Sequence, residues 1–151
     1  MRILSACRLP AVLLLAAACT DPVSPDGLQG TYVLRTVAGE PLPRVAWSTE
    51  LDGTATILAD TIRLDGRGGA SRRTVVHRTA NQWMPETTYD AQRRLEYAVS
   101  GARIEIGWLA PCDDTAACVA NEVGVIGDGG IRLELRMQGT VDEGVFERIA
   151  P

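Results

Sequence analysis

The sequence predicts a mostly β domain, an antiparallel up-and-down meander of eight or nine strands that closes, or nearly closes, into a barrel. Apolar and polar residues alternate with a period of two along most of the chain, whereas no stretch of a dozen residues keeps a helical period. With a single Phe, the core must be built from Val, Ile and Leu, which favour strands. A sheet of that many strands loses its exposed edges by closing. A sandwich of two sheets is the alternative.

In the first half of the chain, turn-forming residues separate the alternating segments. Ala38 to Pro43 is rich in such residues, Asp52-Gly53 suits a tight hairpin, and Asp65 to Gly69 forms the next turn. The predicted strands of this half are Gly30 to Val37, Val45 to Leu51, a strand from Thr54 onward, Thr61 to Leu64, and Ala70 to Arg78.

The second half repeats the pattern after a loop predicted over Thr79 to Asp90. Leu95, Tyr97 and Val99 share one face of a strand that turns at Ser100-Gly101. Two further strands place their apolar residues on one face and charged residues on the other, as a half-buried antiparallel strand does. Their inward residues are Ile104, Ile106 and Trp108 in one strand, and Ile131, Leu133, Leu135 and Met137 in the other; Val145 to Ile149 closes the chain.

The N-terminal segment has the features of an export signal. Arg2 and Arg8 supply positive charge, Leu9 to Leu15 form an apolar run too short to span a bilayer as a mature helix, and Ala16 to Ala18 are small residues directly before Cys19. The segment resembles the lipobox of bacterial lipoproteins, with Ala16 at a position where Leu is most common. A plain secreted protein with a chance cysteine near the cleavage point is the alternative.

The lipobox resemblance implies that Cys19 becomes the lipidated first residue, and several acyl chains on one residue hold a protein to a membrane almost irreversibly. Thr20 follows it, not the Asp that marks inner-membrane retention in many double-membrane bacteria, so a periplasm-facing outer-membrane location is expected. The predicted organisation is a signal peptide over residues 1–18, the lipidated cysteine and a flexible tether over 19–28, and one domain over 29–151.

Charge limits the classes of partner. The full chain has a net charge of −4, and loss of residues 1–18 leaves 13 arginines against 19 acidic residues, a net charge of −6. An acidic surface argues against nucleic acid and against anionic lipid as partners. The membrane is expected to be reached through the N-terminal lipid instead.

Both ends of the domain resemble small bacterial lipocalin-like lipoproteins. The residues that carry the resemblance are Gly30-Thr31-Tyr32, the segment Val37 to Pro43, and Val145-Phe146-Glu147-Arg148. Lipocalins pack the aromatic ring of a Gly-x-Trp motif under an arginine near the end of the barrel. The resemblance therefore implies that Gly30, Tyr32 and Arg148 close the barrel, with a cation–π contact between Tyr32 and Arg148 worth roughly 0.5 to 2 kcal/mol.

Cys112 and Cys118 lie in a polar loop of a chain expected in an oxidising compartment, which favours a disulfide. Closing so small a loop stabilises a fold by roughly 2 kcal/mol on the chain-entropy model. A metal site or a redox pair is the alternative. Both fit poorly, because the spacing is not C-x-x-C and His77 is the chain's one histidine. No metal or cofactor is predicted.

His77 shares its predicted strand with Arg72, Arg73 and Arg78. Neighbouring positive charge disfavours protonation of His77, and the sequence shows neither a carboxylate to orient it nor a nucleophile motif such as G-x-S-x-G. The expectation is a non-enzymatic protein with His77 at the surface. The arginines are expected to pair with the excess of acids, the alternative being a site for an anionic group.

The predicted loop after the arginine-rich strand carries large apolar residues, Trp83, Met84 and Tyr89. Such residues cover one end of a barrel or contact a ligand or partner. Trp47 and Trp108 are expected in the core or at the barrel mouth. A barrel of about eight strands fills itself with side chains or holds one small ligand. The leading hypothesis is binding of a small apolar or amphiphilic molecule; the alternative is a solid barrel that contacts another envelope protein.

Overall fold

The computed structural model describes residues 25–51, 53–107 and 121–150. Within them it confirms the predicted fold class, because every strand pairing is antiparallel and eight strands close a barrel. A 3₁₀ turn, Pro25–Leu28, precedes the first strand. The strands are β1 (Gly30–Val37), β2 (Glu40–Pro41), β3 (Arg44–Thr49), β4 (Gly53–Leu64), β5 (Gly69–Arg78), β6 (Thr87–Ser100), β7 (Arg103–Gly107), β8 (Glu122–Gly127), β9 (Gly130–Met137) and β10 (Thr140–Ala150).

The barrel wall is a meander from β4 to β10, in which each strand pairs with the next. Strand β1 closes it by pairing with β10 on one side and with β4 on the other, from Gly30 opposite Leu64 to Val33 opposite Thr61. The two extra strands stand outside this ring, β2 paired with β1 and β3 paired with β4.

The antiparallel order sorts the connections to two ends of the barrel. At one end, called the basal end, lie the 3₁₀ turn and the β4–β5, β6–β7 and β8–β9 turns. At the other, the distal end, lie β3, the β5–β6 loop (79–86) and the β9–β10 hairpin. The N-terminal part of the chain therefore reaches the barrel at its basal end.

The predicted alternation is confirmed in the strands that build the core. Strand β9 alternates strictly between buried and exposed residues from Ile131 to Met137. The most deeply buried large apolar side chains, which fill the basal half of the barrel, are Tyr32, Ile62, Leu64, Ile104, Ile106, Ile131, Leu133 and Phe146. Full burial of each stabilises the fold by roughly 1.5 to 3 kcal/mol relative to exposure.

Three strands are longer than the sequence predicts. Strand β4 runs without a break from Gly53 to Leu64, so the segments predicted from Thr54 onward and over Thr61 to Leu64 are one strand. Strand β6 begins at Thr87, so Tyr89 and Asp90 lie in a strand and not in the predicted loop, and β10 begins at Thr140 instead of Val145. The distal part of β6 is largely exposed, so the sequence has no apolar alternation there that would predict a strand. Its extended form follows from backbone pairing with β5, which continues to Arg78 opposite Thr87.

The residues expected to close the barrel meet at the basal end, where Tyr32 lies opposite Arg148. The Tyr32 hydroxyl donates a hydrogen bond of 2.8 Å to the Leu28 carbonyl, and burial raises the pKa of Tyr32. The Arg148 guanidinium donates to the carbonyls of Gly27 and Gln29. The expected cation–π contact between Tyr32 and Arg148 is not among the aromatic contacts of the described residues, because Arg148 bonds the backbone of the incoming chain instead.

Gly124→Ala is expected to lower the free energy of unfolding by about 1 to 3 kcal/mol. A Cβ at this buried position would overlap the carbonyl oxygen of Arg132 and come within 2.7 Å of Leu133 Cδ2. Gly127→Ala on the same strand is the matched control, since a Cβ there meets nothing within 4 Å. Urea unfolding of both variants measures the difference, and equal midpoints would show that β8 is not held this closely to β9.

Candidate functional site

The barrel wall of the described residues is incomplete on one side of the distal half. On β6, only the last residues, Glu96 to Ser100, pair with β7. On β9, only the first half, up to Leu133, pairs with β8. The facing edges of the distal parts of β6 and β9 therefore have no strand partner within residues 25–51, 53–107 and 121–150.

A cavity of about 280 Å³ lies inside the barrel at this level. Strand β3 narrows its distal side, because the backbone N–H of Gln138 in the β9–β10 hairpin donates to the Ala46 carbonyl at 2.7 Å. The wall is apolar on one part and charged on another. The lining residues are Ala46, Ile57, Arg72, Thr74, Val76, Tyr89, Ala91, Arg93, Glu122, Leu135, Arg136 and Met137.

A buried ion network borders this cavity. Asp60 is fully buried, and both of its oxygens accept hydrogen bonds from the Arg72 guanidinium at 2.5 to 3.0 Å. The other side of that guanidinium donates to Glu122 at 2.6 and 2.7 Å. Thr74 donates a fourth hydrogen bond to Asp60, its hydroxyl lying 3.2 Å from Oδ1. Both oxygens of Asp60 are thereby hydrogen-bonded to protein side chains.

The network fixes the charge state of Arg72. Burial alone lowers the pKa of Arg72, but the hydrogen bonds and charge of Asp60, followed by those of Glu122, outweigh it and raise that pKa above its usual value. The guanidinium carbon also stands 5.9 Å from the centre of the Phe146 ring, the residue that fills the barrel below it. Arg72 thus separates a solid apolar basal half from the cavity above.

Arg93 adds a second positive charge to the cavity. It lies directly opposite Arg72 on the neighbouring strand and faces the same side of the sheet. Within the part of the chain that the structure describes, Arg93 makes no ion pair, whereas Arg72 is neutralised by two carboxylates. An anionic group placed in the cavity would meet Arg93 and the exposed Arg136 as wall charges without a counter-ion among the described residues.

The large apolar residues expected at the barrel mouth do lie at the distal end, but in different roles. Tyr89 lines the cavity, while the Trp83 side chain is 76% exposed. Arg78 stands 4.9 Å from the centre of the Trp47 ring and 3.7 Å from the Met84 sulfur. Trp47, Arg78 and Met84 therefore form a small stack on the rim, and Tyr89 is the one residue of the predicted set within the described ranges that lines the cavity.

The arginines of β5 are separated by the alternation of the strand. Arg72 points into the barrel, Arg73 points outward and binds Asp90 at 2.6 Å, and Arg78 lies on the rim. The expected pairing with acids is confirmed for Arg72 and Arg73.

His77 has a carboxylate neighbour that the sequence does not reveal, because its Nε2 lies 3.3 Å from Glu86 Oε1. Its Nδ1 lies 3.2 Å from the Thr88 hydroxyl. All three side chains are on the outer rim, His77 being 31% exposed and Glu86 65% exposed.

Three residues of the site were missed in the sequence, namely Asp60, Arg93 and Glu122. Asp60 stands in the same alternation as Ile62 and Leu64, so a charged residue in an apolar register was the available signal. Nothing in the sequence marks Glu122 or Arg93. The predicted lipidation at Cys19, the Cys112–Cys118 disulfide and the position of Trp108 lie outside the described residues.

Among residues 25–51, 53–107 and 121–150, no three His, Cys, Asp or Glu side chains stand close enough together to hold a metal ion. Within the same residues, no helix is long and apolar enough to cross a bilayer. Comparison of the chain with protein-family models, curated proteins and solved structures gave no match.

Proposed function

We propose that this chain is a lipid-anchored cell-envelope lipoprotein whose barrel binds a small amphiphilic molecule in the distal cavity. The observation that carries the proposal is the cavity of about 280 Å³, closed below by the Asp60–Arg72–Glu122 network and bordered by apolar side chains. Its volume is close to the lower end of the roughly 300 to 1,000 Å³ typical of ligand pockets. The guest is therefore small.

The wall chemistry supports an amphiphile over a purely apolar guest. Ile57, Val76, Leu135 and Met137 offer a surface for a short alkyl or aromatic group. Arg93, which lacks a counter-ion in the described part of the chain, offers a charge-assisted hydrogen bond to a carboxylate, sulfonate or phosphate. A guest with a short apolar tail and an anionic head satisfies both parts of the wall.

Octanoate is a probe with this chemistry, and titration calorimetry on the mature chain carrying Cys19→Ser is the test. We expect octanoate to bind at least about tenfold more tightly than octylamine, which has the same tail and the opposite charge, a difference of about 1.4 kcal/mol. Ala91→Phe, which places a ring into the cavity, should reduce octanoate binding more than tenfold. Ala98→Phe is the matched control, since Ala98 lies on the same strand and is exposed.

Equal affinity for octanoate and octylamine would overturn the anionic head group and leave an apolar guest. Equal binding by the Ala91→Phe and Ala98→Phe variants would place any binding outside the cavity. A chain that binds neither probe would instead favour the solid barrel that contacts another envelope protein, for which the closely packed basal half is the supporting observation.

A further inference from the structure

Two arginines flank a serine on the outer face of β4, β5 and β6. Arg63 lies opposite Ser71, and Ser71 lies opposite Arg94, so the three side chains share one exposed face. Adjacent strands are about 4.8 Å apart, which places the two arginine Cα atoms about 10 Å from each other with only a serine between them. Guanidinium groups on such long side chains can converge on one anion above Ser71.

The next row along the same strands extends this feature. Thr61, Arg73 and Gln92 lie opposite one another, and the two rows together line a surface groove of about 410 Å³. This outer groove is defined by Thr61, Arg63, Ser71, Arg73, Gln92 and Arg94.

The charge of the outer groove is only partly balanced. Arg73 is neutralised by Asp90 at 2.6 Å, whereas Arg63 and Arg94 make no ion pair with any residue in the described ranges. The nearest turn contributes Asp65, but its Oδ1 accepts the backbone N–H groups of Arg67 and Gly69 at 2.7 and 2.9 Å. A chain with a net charge of −4 thus has a locally positive groove, and this qualifies the expectation that its acidic surface excludes anionic lipid.

The position of the groove relates it to the N-terminal part of the chain. Gln29 and Gly30 line a depression of about 480 Å³ together with Arg63 and Arg94, at the basal end. The nine residues from Cys19 to Gly27 span at most about 32 Å when fully extended. A lipid on Cys19 would therefore keep Gly27 within that distance of the membrane, and the two arginines lie at the same basal end.

We propose that the outer groove binds the phosphate head groups of anionic phospholipids in the membrane that holds the anchor. Guanidinium forks match phosphate oxygens in bidentate geometry, and basic side chains near an anionic membrane surface are attracted to it over about a Debye length. The proposal rests on the lipid anchor of the proposed function, which supplies the membrane. Docked in this way, the barrel rests against the membrane through the outer face of β4, β5 and β6.

The test uses the mature chain with Cys19→Ser, so that binding depends on the protein surface and not on an acyl chain. Co-flotation is measured at low ionic strength with vesicles of equal parts phosphatidylglycerol and phosphatidylcholine, and with phosphatidylcholine alone. We expect binding to the anionic vesicles only, weakened by added salt. Arg63→Gln combined with Arg94→Gln should reduce the affinity about 25-fold, since each arginine near such a surface contributes about fivefold.

The matched control is Arg103→Gln combined with Arg132→Gln. These two arginines flank Val125 with the same cross-strand spacing on the other side of the barrel, at the same basal end. The control removes the same charge and should retain most of the binding. Urea midpoints confirm that both double variants are folded, as expected for arginines without ion-pair partners among the described residues.

Absence of binding to the anionic vesicles would overturn the proposal, and so would an equal loss in both double variants, which would assign the attraction to net charge. Binding of phosphatidylcholine vesicles at the same affinity would also contradict it. None of these results depends on occupation of the distal cavity, so the octanoate titration stands or fails independently. Because Cys19 is replaced in the tested chain, the result is also independent of lipidation.

Discussion

Asp60→Ala is expected to lower the free energy of unfolding by about 3 to 5 kcal/mol, the range found when one partner of a buried ion pair is removed. Asp60 is fully buried and accepts three hydrogen bonds from Arg72, whose side chain is only 15% exposed. Without Asp60, a protonated guanidinium remains inside the barrel with Glu122 as its single counter-ion. Urea unfolding followed by circular dichroism measures the loss.

Asp90→Ala is the matched control for Asp60→Ala, because it also removes the acidic partner of an arginine on β5. The Asp90–Arg73 pair is exposed, so its loss should cost no more than about 1 kcal/mol. The double change Asp60→Leu with Arg72→Met should recover most of the stability lost in Asp60→Ala, since it removes both buried charges together. Similar losses for Asp60→Ala and Asp90→Ala would contradict the burial of the Asp60–Arg72 pair.

Phe146→Ala is expected to cost about 3 to 5 kcal/mol by leaving a cavity in the centre of the barrel. The Phe146 ring is 0% exposed, is part of the main apolar cluster and lies 5.9 Å from the Arg72 guanidinium. Its removal takes away both packing and the aromatic face beneath that cation. Thermal and urea unfolding should both shift strongly downward.

Ile149→Ala on the same strand provides the comparison for Phe146→Ala. Ile149 is 54% exposed, and surface substitutions of this kind usually change stability by less than about 0.5 kcal/mol. If Phe146→Ala were no more damaging than Ile149→Ala, the barrel interior would have to repack around the lost ring, and the solid basal half would not be a rigid floor for the cavity.

Local pattern was sufficient to predict the strands whose two faces differ. The bounds of β1 match the predicted Gly30 to Val37, and the apolar register of β9 is as predicted from Ile131 to Met137. These strands are predicted correctly because burial of one face makes apolar and polar residues alternate with a period of two. The beginning of β6 has no such difference, since both of its faces are largely exposed, and pairing with β5 holds it extended.

The candidate site was harder to predict because its parts come from separate strands. Asp60, Arg72 and Glu122 belong to β4, β5 and β8, and Glu122 is 50 residues from Arg72 in the chain. Barrel closure brings them together, and closure is a property of the whole sheet. Arg148 shows the same limit on a smaller scale, since its neighbourhood was anticipated but its hydrogen bonds to the carbonyls of Gly27 and Gln29 were not.

Closure by the first and last strands has a consequence for how the chain acquires its fold. Strand β1 pairs with β10, with Thr31 opposite Ala150, so the ring cannot form until β10 has been synthesised. Contacts between such distant parts of a sequence make folding slow, because loop-closure entropy is lost before they form. A chain of this topology therefore stays open until β10 has been made, so the barrel assembles only after all eight of its wall strands are present.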